Sequence, residues 1–188
     1  MPAPFVTLRL EAHVPTGMRG ADANLDVLLT TADGALFAIE SKFGEPYAPS
    51  PAGTALKAQY FSQDRTRWTD VGLPGCQAVA ERLRAGRHDY SALDVAQLLK
   101  HMLALGRTGT HWTLCCLWYE APGPAADAHH RDLRTFAAQL GADAAHFQAL
   151  TYQDLLARIR EAAGNSAEHA DYIAYLQERY DAARSGSQ

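Results

Sequence analysis

The chain is poor in cysteine: Cys76, Cys115 and Cys116 make an odd count with an adjacent pair. Adjacent cysteines do not normally bridge to each other, so no disulfide framework is readable, and the spacing is not that of a zinc site. No run of about 18 apolar residues occurs. The opening residues, MPAPFVTLRLEAH, have no basic stretch followed by an apolar one. Membrane spanning and export are therefore not expected, and a reducing cytoplasm is the expected location. Positive charge is not in excess either, with 17 Lys and Arg against 21 Asp and Glu, a formal net charge of −4. Without a whole-molecule positive field, any contact with nucleic acid must be local. There are no internal repeats and no low-complexity tract beyond the tail SGSQ.

What is present is core material. With 188 residues and 47% hydrophobic content, the chain can bury a core without disulfide or metal staples. A single domain over 1–188 is expected, with its core at about 5–120 and a C-terminal helical extension at about 127–183.

Phe5 to Val14 alternate, with Val6, Leu8, Leu10, Ala12 and Val14 assigned to one face and Thr7, Arg9, Glu11 and His13 to the other, as in a half-buried strand. NLDVLLTT, ADG and ALFAIESKF then read as two strands joined by a tight hairpin. Loop length decides which side chains share a face. A two-residue Asp33-Gly34 turn would set Asp26 opposite Ser41. A three-residue Ala32-Asp33-Gly34 loop, with glycine left-handed in a bulged turn, pairs Thr31 with Ala35 and Asp26 with Glu40. The second register is the one expected.

The next segment is proline-rich from Tyr47 to Ser50, then mixed helix and loop over 54–86, with a helix near Cys76 to Arg84. Ser91 and Asp94 resemble a capping box that opens the helix SALDVAQLLKHMLALG, closed by Gly106. Its buried arc is Val95, Leu98, Leu99 and Met102, and Gln97, Lys100 and His101 cluster on the other side. THWTLCCLWYE suits a strand buried on both faces. Helices are expected near 127–140, 152–163 and 167–183, with a short strand, HFQALTY, between the first two. The fold class is α/β.

In the expected register, Asp26 and Glu40 are cross-strand neighbours with Cβ atoms roughly 5 Å apart, and like charges at that distance repel unless a cation sits between them. Mg²⁺ is the natural candidate, being a hard cation commonly held by one or two carboxylates and a substrate phosphate. The Ser41 carbonyl is a candidate further ligand. Alternation puts Lys42 on the face of Glu40, where its ammonium could orient a water and favour hydroxide. Glu40 and Lys42 lie in an apolar run, FAIESKF, where unpaired charge is costly. That chemistry, activated water with charge neutralisation at a phosphoryl group, is what phosphodiester hydrolysis requires.

The Asp26 strand, the Glu40-Ser41-Lys42 triplet on the next strand, and the helix and strand that follow resemble the PD-(D/E)XK nuclease superfamily. Within it, VPTGMRGADANLDVLL, AIESKFGEPY, DVAQLLKHMLAL and FQALTYQDLL look like a small group of restriction-endonuclease-like proteins. The resemblance covers roughly Glu11 to Tyr180. It implies an αβββαβ core with a central mixed sheet, Mg²⁺ ligation by Asp26 and Glu40, a catalytic role for Lys42 and a supporting role for Gln97. Leu25 stands where proline often precedes the acid, and His101 follows Gln97 where the exonuclease branch carries tyrosine. The chain starts almost directly on its first strand, so the opening helix of such cores is expected to be missing. DNA is the implied substrate, with Mn²⁺ able to substitute for Mg²⁺ and a restriction or defence role. Double-strand cleavage would call for two sites, hence a homodimer.

Other readings stay beside this one. A catalytically silent binding or assembly module could keep the same fold, and Asp26 with Glu40 could form a glycosidase-like acid and base pair, against which Lys42 argues. Lys100 and His101 read as a solvated helix face, and Gln97 is left open between that face and the site. Glu11 and Glu45 read as ordinary strand and loop residues. Cys115 and Cys116 read as small core residues, His129-His130 as a solvated helix start, and Trp68, Trp112 and Trp118 as core rather than base-stacking rings.

Overall fold

The computed structural model describes residues 3–18, 20–44, 56–61, 66–87, 89–164 and 167–180. Five strands form a single sheet in chain order: β1 (Phe5–Val14), β2 (Ala23–Thr31), β3 (Leu36–Lys42), β4 (Trp112–Trp118) and β5 (Phe147–Thr151). The neighbours β1–β2 and β2–β3 pair antiparallel, and β3, β4 and β5 run parallel. The helices are α1 (Pro74–Arg84), α2 (Val95–Gly106), α3 (Pro124–Leu140), α4 (Tyr152–Ala163) and α5 (Ala167–Tyr180). The fold is thus α/β with a mixed central sheet. Glu45 and the proline-rich stretch lie outside the described residues.

The β2–β3 hairpin follows from its loop. The Thr31 N–H donates to Ala35 O at 2.9 Å and Gly34 N–H to Thr31 O at 3.0 Å, and Gly34 has φ 85°. Such a left-handed residue strains any side chain but costs glycine nothing. The ladder runs from Thr30↔Leu36 to Val27↔Ile39, the register expected of the three-residue loop, and Asp26 and Glu40 are the next residue on each strand beyond its last pair. On the helix side of the sheet, Leu28, Ala38, Leu114 and Cys116 are buried in a core with Leu98, Leu99 and Met102 of α2.

Two expectations are corrected here. The single apolar face of β1 does not exist: Ala12 and Val14 are buried, whereas Phe5, Val6, Leu8 and Leu10 are exposed. Glu11 is the break, with φ 48° in an otherwise extended strand. The β1–β2 ribbon turns over there, since Ala23 and Leu25 are buried opposite Val14 and Ala12, while beyond Asp26 it is Leu28 that enters the core. A two-stranded ribbon twists more readily than a strand held on both sides, and β2 is laddered to β3 only from Val27 onward. The second correction is the cap of α2. Asp94, not Ser91, is its N-cap, accepting the Gln97 N–H at 2.9 Å. Ser91 instead donates its N–H to Asp132 of α3 at 2.6 Å, as does Ala92 at 2.6 Å. A buried carboxylate with two backbone donors fixes where α2 begins.

The remaining helices and strands lie within a few residues of expectation. Trp68, Trp112 and Trp118 are all buried, and Trp68 Nε1–H donates to Leu99 O at 2.8 Å. No described helix is long and apolar enough to cross a membrane.

Candidate active site

β3 brings three polar side chains in succession to the edge where β2 departs. The Asp26 carboxylate accepts the Ser41 N–H at 2.7 Å, just beyond the last laddered pair, Val27↔Ile39. This bond ties the departing strand back to β3 and fixes the Asp26 side chain. Glu40 is 2% exposed, and Lys42 Nζ lies 2.7 Å from its Oε1. A carboxylate so buried is tolerated only with partners, and the alternation of β3 supplies one two residues along. The Lys42 side chain remains 17% exposed, so the pair spans from the core to the surface.

The other Glu40 oxygen, Oε2, faces His101 Nδ1 at 3.4 Å, with the imidazole also buried. Burial, helped by the Lys100 and Lys42 cations, pushes the His101 pKa down from 6.5 to about 3. The contact is therefore between a neutral ring and the carboxylate rather than an ion pair. The sequence reading of His101 as solvated is overturned. Its signal was there: Leu98 lies three residues before and Leu105 four after, both buried on the same helix, so the apolar arc is wide enough to include position 101. Lys100 and Gln97 are half-buried. Gln97 donates its backbone N–H to the Asp94 cap, and its side chain is not in the Asp26, Glu40 and Lys42 contacts.

Because β3, β4 and β5 are parallel, their C-terminal ends reach one edge, and each is followed by an aromatic residue. Phe43 stacks on Tyr119 at 4.8 Å and meets Tyr152 edge-on at 5.2 Å. The Tyr152 hydroxyl pairs with Ser41 Oγ at 2.7 Å, linking this ring cluster to the polar one. Open parallel sheets bind ligands at this end of their strands. The sequence reading singled out none of these rings. Only the strand register shows that the dipeptides Lys42-Phe43, Trp118-Tyr119 and Thr151-Tyr152 end at one level.

The other candidates fall elsewhere. Glu11 is exposed, accepts from Asn24 Nδ2 at 2.6 Å, and stands across from Asp26 in the β1–β2 register. His129 is buried against Ala92 O at 3.1 Å, not solvated, because the helix start that carries it packs inward. Cys116 is buried as expected, and burial raises its thiol to about 12.

As a cation site the donor set is a pair of carboxylates. No group of three or more His, Cys, Asp or Glu side chains suited to a metal converges among the described residues. Two carboxylates from adjacent strands suit Mg²⁺, which keeps several waters and takes few protein ligands. They suit a zinc-type cage poorly.

The chain matches one family model, described as Restriction Endonuclease associating with ARP, over residues 2–181. No curated protein and no solved structure matches it.

Proposed function

The chain belongs to the family of the Restriction Endonuclease associating with ARP, and from that premise we propose that it is a Mg²⁺-dependent DNA endonuclease of the PD-(D/E)XK type with a restriction or defence role. The observation that carries this reading is the juxtaposition of Asp26, Glu40 and Lys42 at one strand end. Carboxylates on two adjacent strands offer the hard oxygen donors that Mg²⁺ takes.

Asp26 and Glu40 would hold Mg²⁺, with the Ser41 carbonyl as a further oxygen donor and Mn²⁺ as an alternative ion. The ion supplies charge neutralisation at the phosphoryl oxygens and at the leaving alkoxide. Lys42 directs its ammonium at the attacking water and favours the hydroxide form by proximity of charge. His101 packs against Glu40 from the core side and keeps the carboxylate from turning inward. Tyr152 steadies Ser41. Phe43, exposed at the site's rim, offers a ring against which a nucleobase can stack, an interaction independent of net charge. Gln97, at the start of α2, is assigned a supporting role beside the phosphate.

The test is a time course on plasmid, linear and single-stranded DNA with Mg²⁺, Mn²⁺ or EDTA, comparing wild type with Glu40→Ala and Lys42→Ala. Cutting that needs the metal and is lost in both variants supports the assignment, and no cutting by a folded protein on any substrate removes it. One observation favours a second reading, a silent binding module on the same fold: Lys42 already meets the Glu40 charge at 2.7 Å. On that reading DNA binding survives in wild type and variants alike, with no hydrolysis in any.

A further inference from the structure

His129 is a buried imidazole that the chemistry of the Asp26, Glu40 and Lys42 cluster leaves unused. It sits on α3, 1% exposed, with its ring against Trp118 at 4.8 Å between centres. Trp118 is the β4 partner of Lys42 in the parallel register, and register partners project side by side from one face of a sheet. Lys42 and His129 are thus both neighbours of Trp118, and the Lys42 cation acts electrostatically on His129 as it does on His101. The two ring nitrogens differ. Nδ1 lies 3.1 Å from Ala92 O, and since a carbonyl only accepts, Nδ1 carries the proton. Burial lowers the ring's pKa and favours its neutral form, so Nε2 holds a lone pair. That atom is buried and has no hydrogen-bond partner among the described residues. Unpaired buried acceptors are costly, and a position that needed only volume would hold leucine.

We propose that His129 is a positioning residue for Lys42, with Nε2 accepting from one buried water that in turn accepts an N–H of the ammonium. An ammonium has three donors. Glu40 Oε1 takes one at 2.7 Å, the bridging water takes the second, and the third faces the open side of the site, where substrate and attacking water arrive. A buried water needs at least two polar partners, and this one has a donor on one side and a lone pair on the other. The lysine stem is flexible, so one carboxylate alone fixes the ammonium poorly. A second hold from a neutral ring fixes it without adding negative charge, which leaves the effect of the ammonium on water undiminished. The consequence for cleavage rests on the nuclease reading. The link between Lys42 and His129 does not.

Lys42, Lys57 and Lys100 are the chain's lysines, so the ammonium signals in nitrogen NMR of the isotope-labelled full chain are few. In EDTA, the Lys42 ammonium signal is expected to be protected from exchange in wild type, lost in His129→Asn and kept in His129→Gln. Asparagine reproduces the Nδ1 bond to Ala92 and nothing beyond it, whereas glutamine reaches the position of Nε2 with an acceptor. Should His129→Asn not fold, the His129 ring gives the same answer: Nδ1 is expected to carry the proton, and the Nε2 resonance to move to the unbonded range in Lys42→Met. With Mg²⁺ and DNA, His129→Asn is expected to lower the rate at saturating substrate about tenfold with KM unchanged, and His129→Gln to recover most of it. A proton on Nε2, a Lys42 signal equally protected in His129→Asn, an Nε2 resonance unmoved by Lys42→Met, or equal cleavage by wild type and His129→Asn overturns the proposal. A wild type that cuts nothing yet shows the protected signal supports the link and removes the nuclease reading alone.

Discussion

The two faces of the β1–β3 sheet invert the usual distribution of residue types. On the helix side, a carboxylate that is 2% exposed sits among Ala38, Cys116 and the leucines of α2. On the other side, Leu8 and Leu10 are 61% and 67% exposed. Neither arrangement favours the folding of one isolated chain: a buried charge must be offset by partners, and an exposed leucine forgoes its transfer free energy. Local rules broken in this way mark places where something other than stability has set the sequence. Buried charge points to chemistry performed within the molecule, and exposed apolar area points to contact outside it.

Substitutions on the two faces should therefore fail in different currencies. The largest effect is expected at Glu40. Glu40→Ala should lower metal-dependent hydrolysis by about a thousandfold or more, in line with the loss of a group that holds the charge-neutralising ion, while the far-UV spectrum stays native. Retained hydrolysis in that variant would break the assignment of the helix-side face to chemistry.

Next in size is a matched pair that reads the contrast in stability alone. Ala38→Asp introduces a second, unpartnered carboxylate on the helix side and should cost about 3 kcal/mol or more in chemical denaturation. Leu10→Asp, on the open side, should change stability by less than about 0.5 kcal/mol. Equal costs would mean that Leu10 is covered within one chain.

A smaller effect is expected from pH. His101 has a folded-state pKa near 3 against an ordinary 6.5, so between these values the unfolded chain binds the extra proton. Stability is then fully present above about pH 6.5 and falls as the pH drops, by at most about 1.4 kcal/mol per unit. His129, lowered mainly by burial, adds in the same direction. Urea titrations of wild type and His101→Gln from pH 7 to 4 should show the variant with the shallower slope. Parallel slopes would mean that the imidazole is charged beside Glu40.

The smallest change concerns the turning point of the ribbon. Glu11→Gly should stabilise the chain by up to about 1 kcal/mol, since glycine adopts φ 48° without the strain a side chain brings. A lower melting temperature would show instead that the Glu11 bond to Asn24 outweighs that strain.

Much of this was legible in the residues themselves, and the failures share one physical cause. The hairpin register was readable because Ala32-Asp33-Gly34 leaves few turn geometries, and the ladder from Thr30↔Leu36 to Val27↔Ile39 follows it. The helices were readable from their apolar spacing. Ser91 as cap, His101 as solvated and β1 as one continuous apolar face were misread because a partner far away in sequence decides each, although for His101 the buried Leu98 and Leu105 of its own helix were a local sign as well. Asp132 claims Ser91 from 41 residues away, Glu40 and its surroundings enclose His101, and the free edge of β2 lets the ribbon turn. The ring cluster of Phe43, Tyr119 and Tyr152 has no local pattern at all, because only parallel pairing aligns the three strand ends.

The left-handed residue at Glu11 acts as a phase shifter in a signal of period two. Leu8 and Leu10 before it and Ala12 and Val14 after it have the same parity, yet the first two lie exposed and the last two buried, so residues of one parity serve the exterior at one end of the strand and the interior at the other. A strand usually must choose one side for its apolar residues. Here ten residues divide between two audiences, with Ala12 and Val14 completing the molecule's own interior and Leu8 and Leu10 left to address another surface. A deletion or insertion near position 11 would therefore do more than shift a register. It would exchange the inside and outside of half a strand.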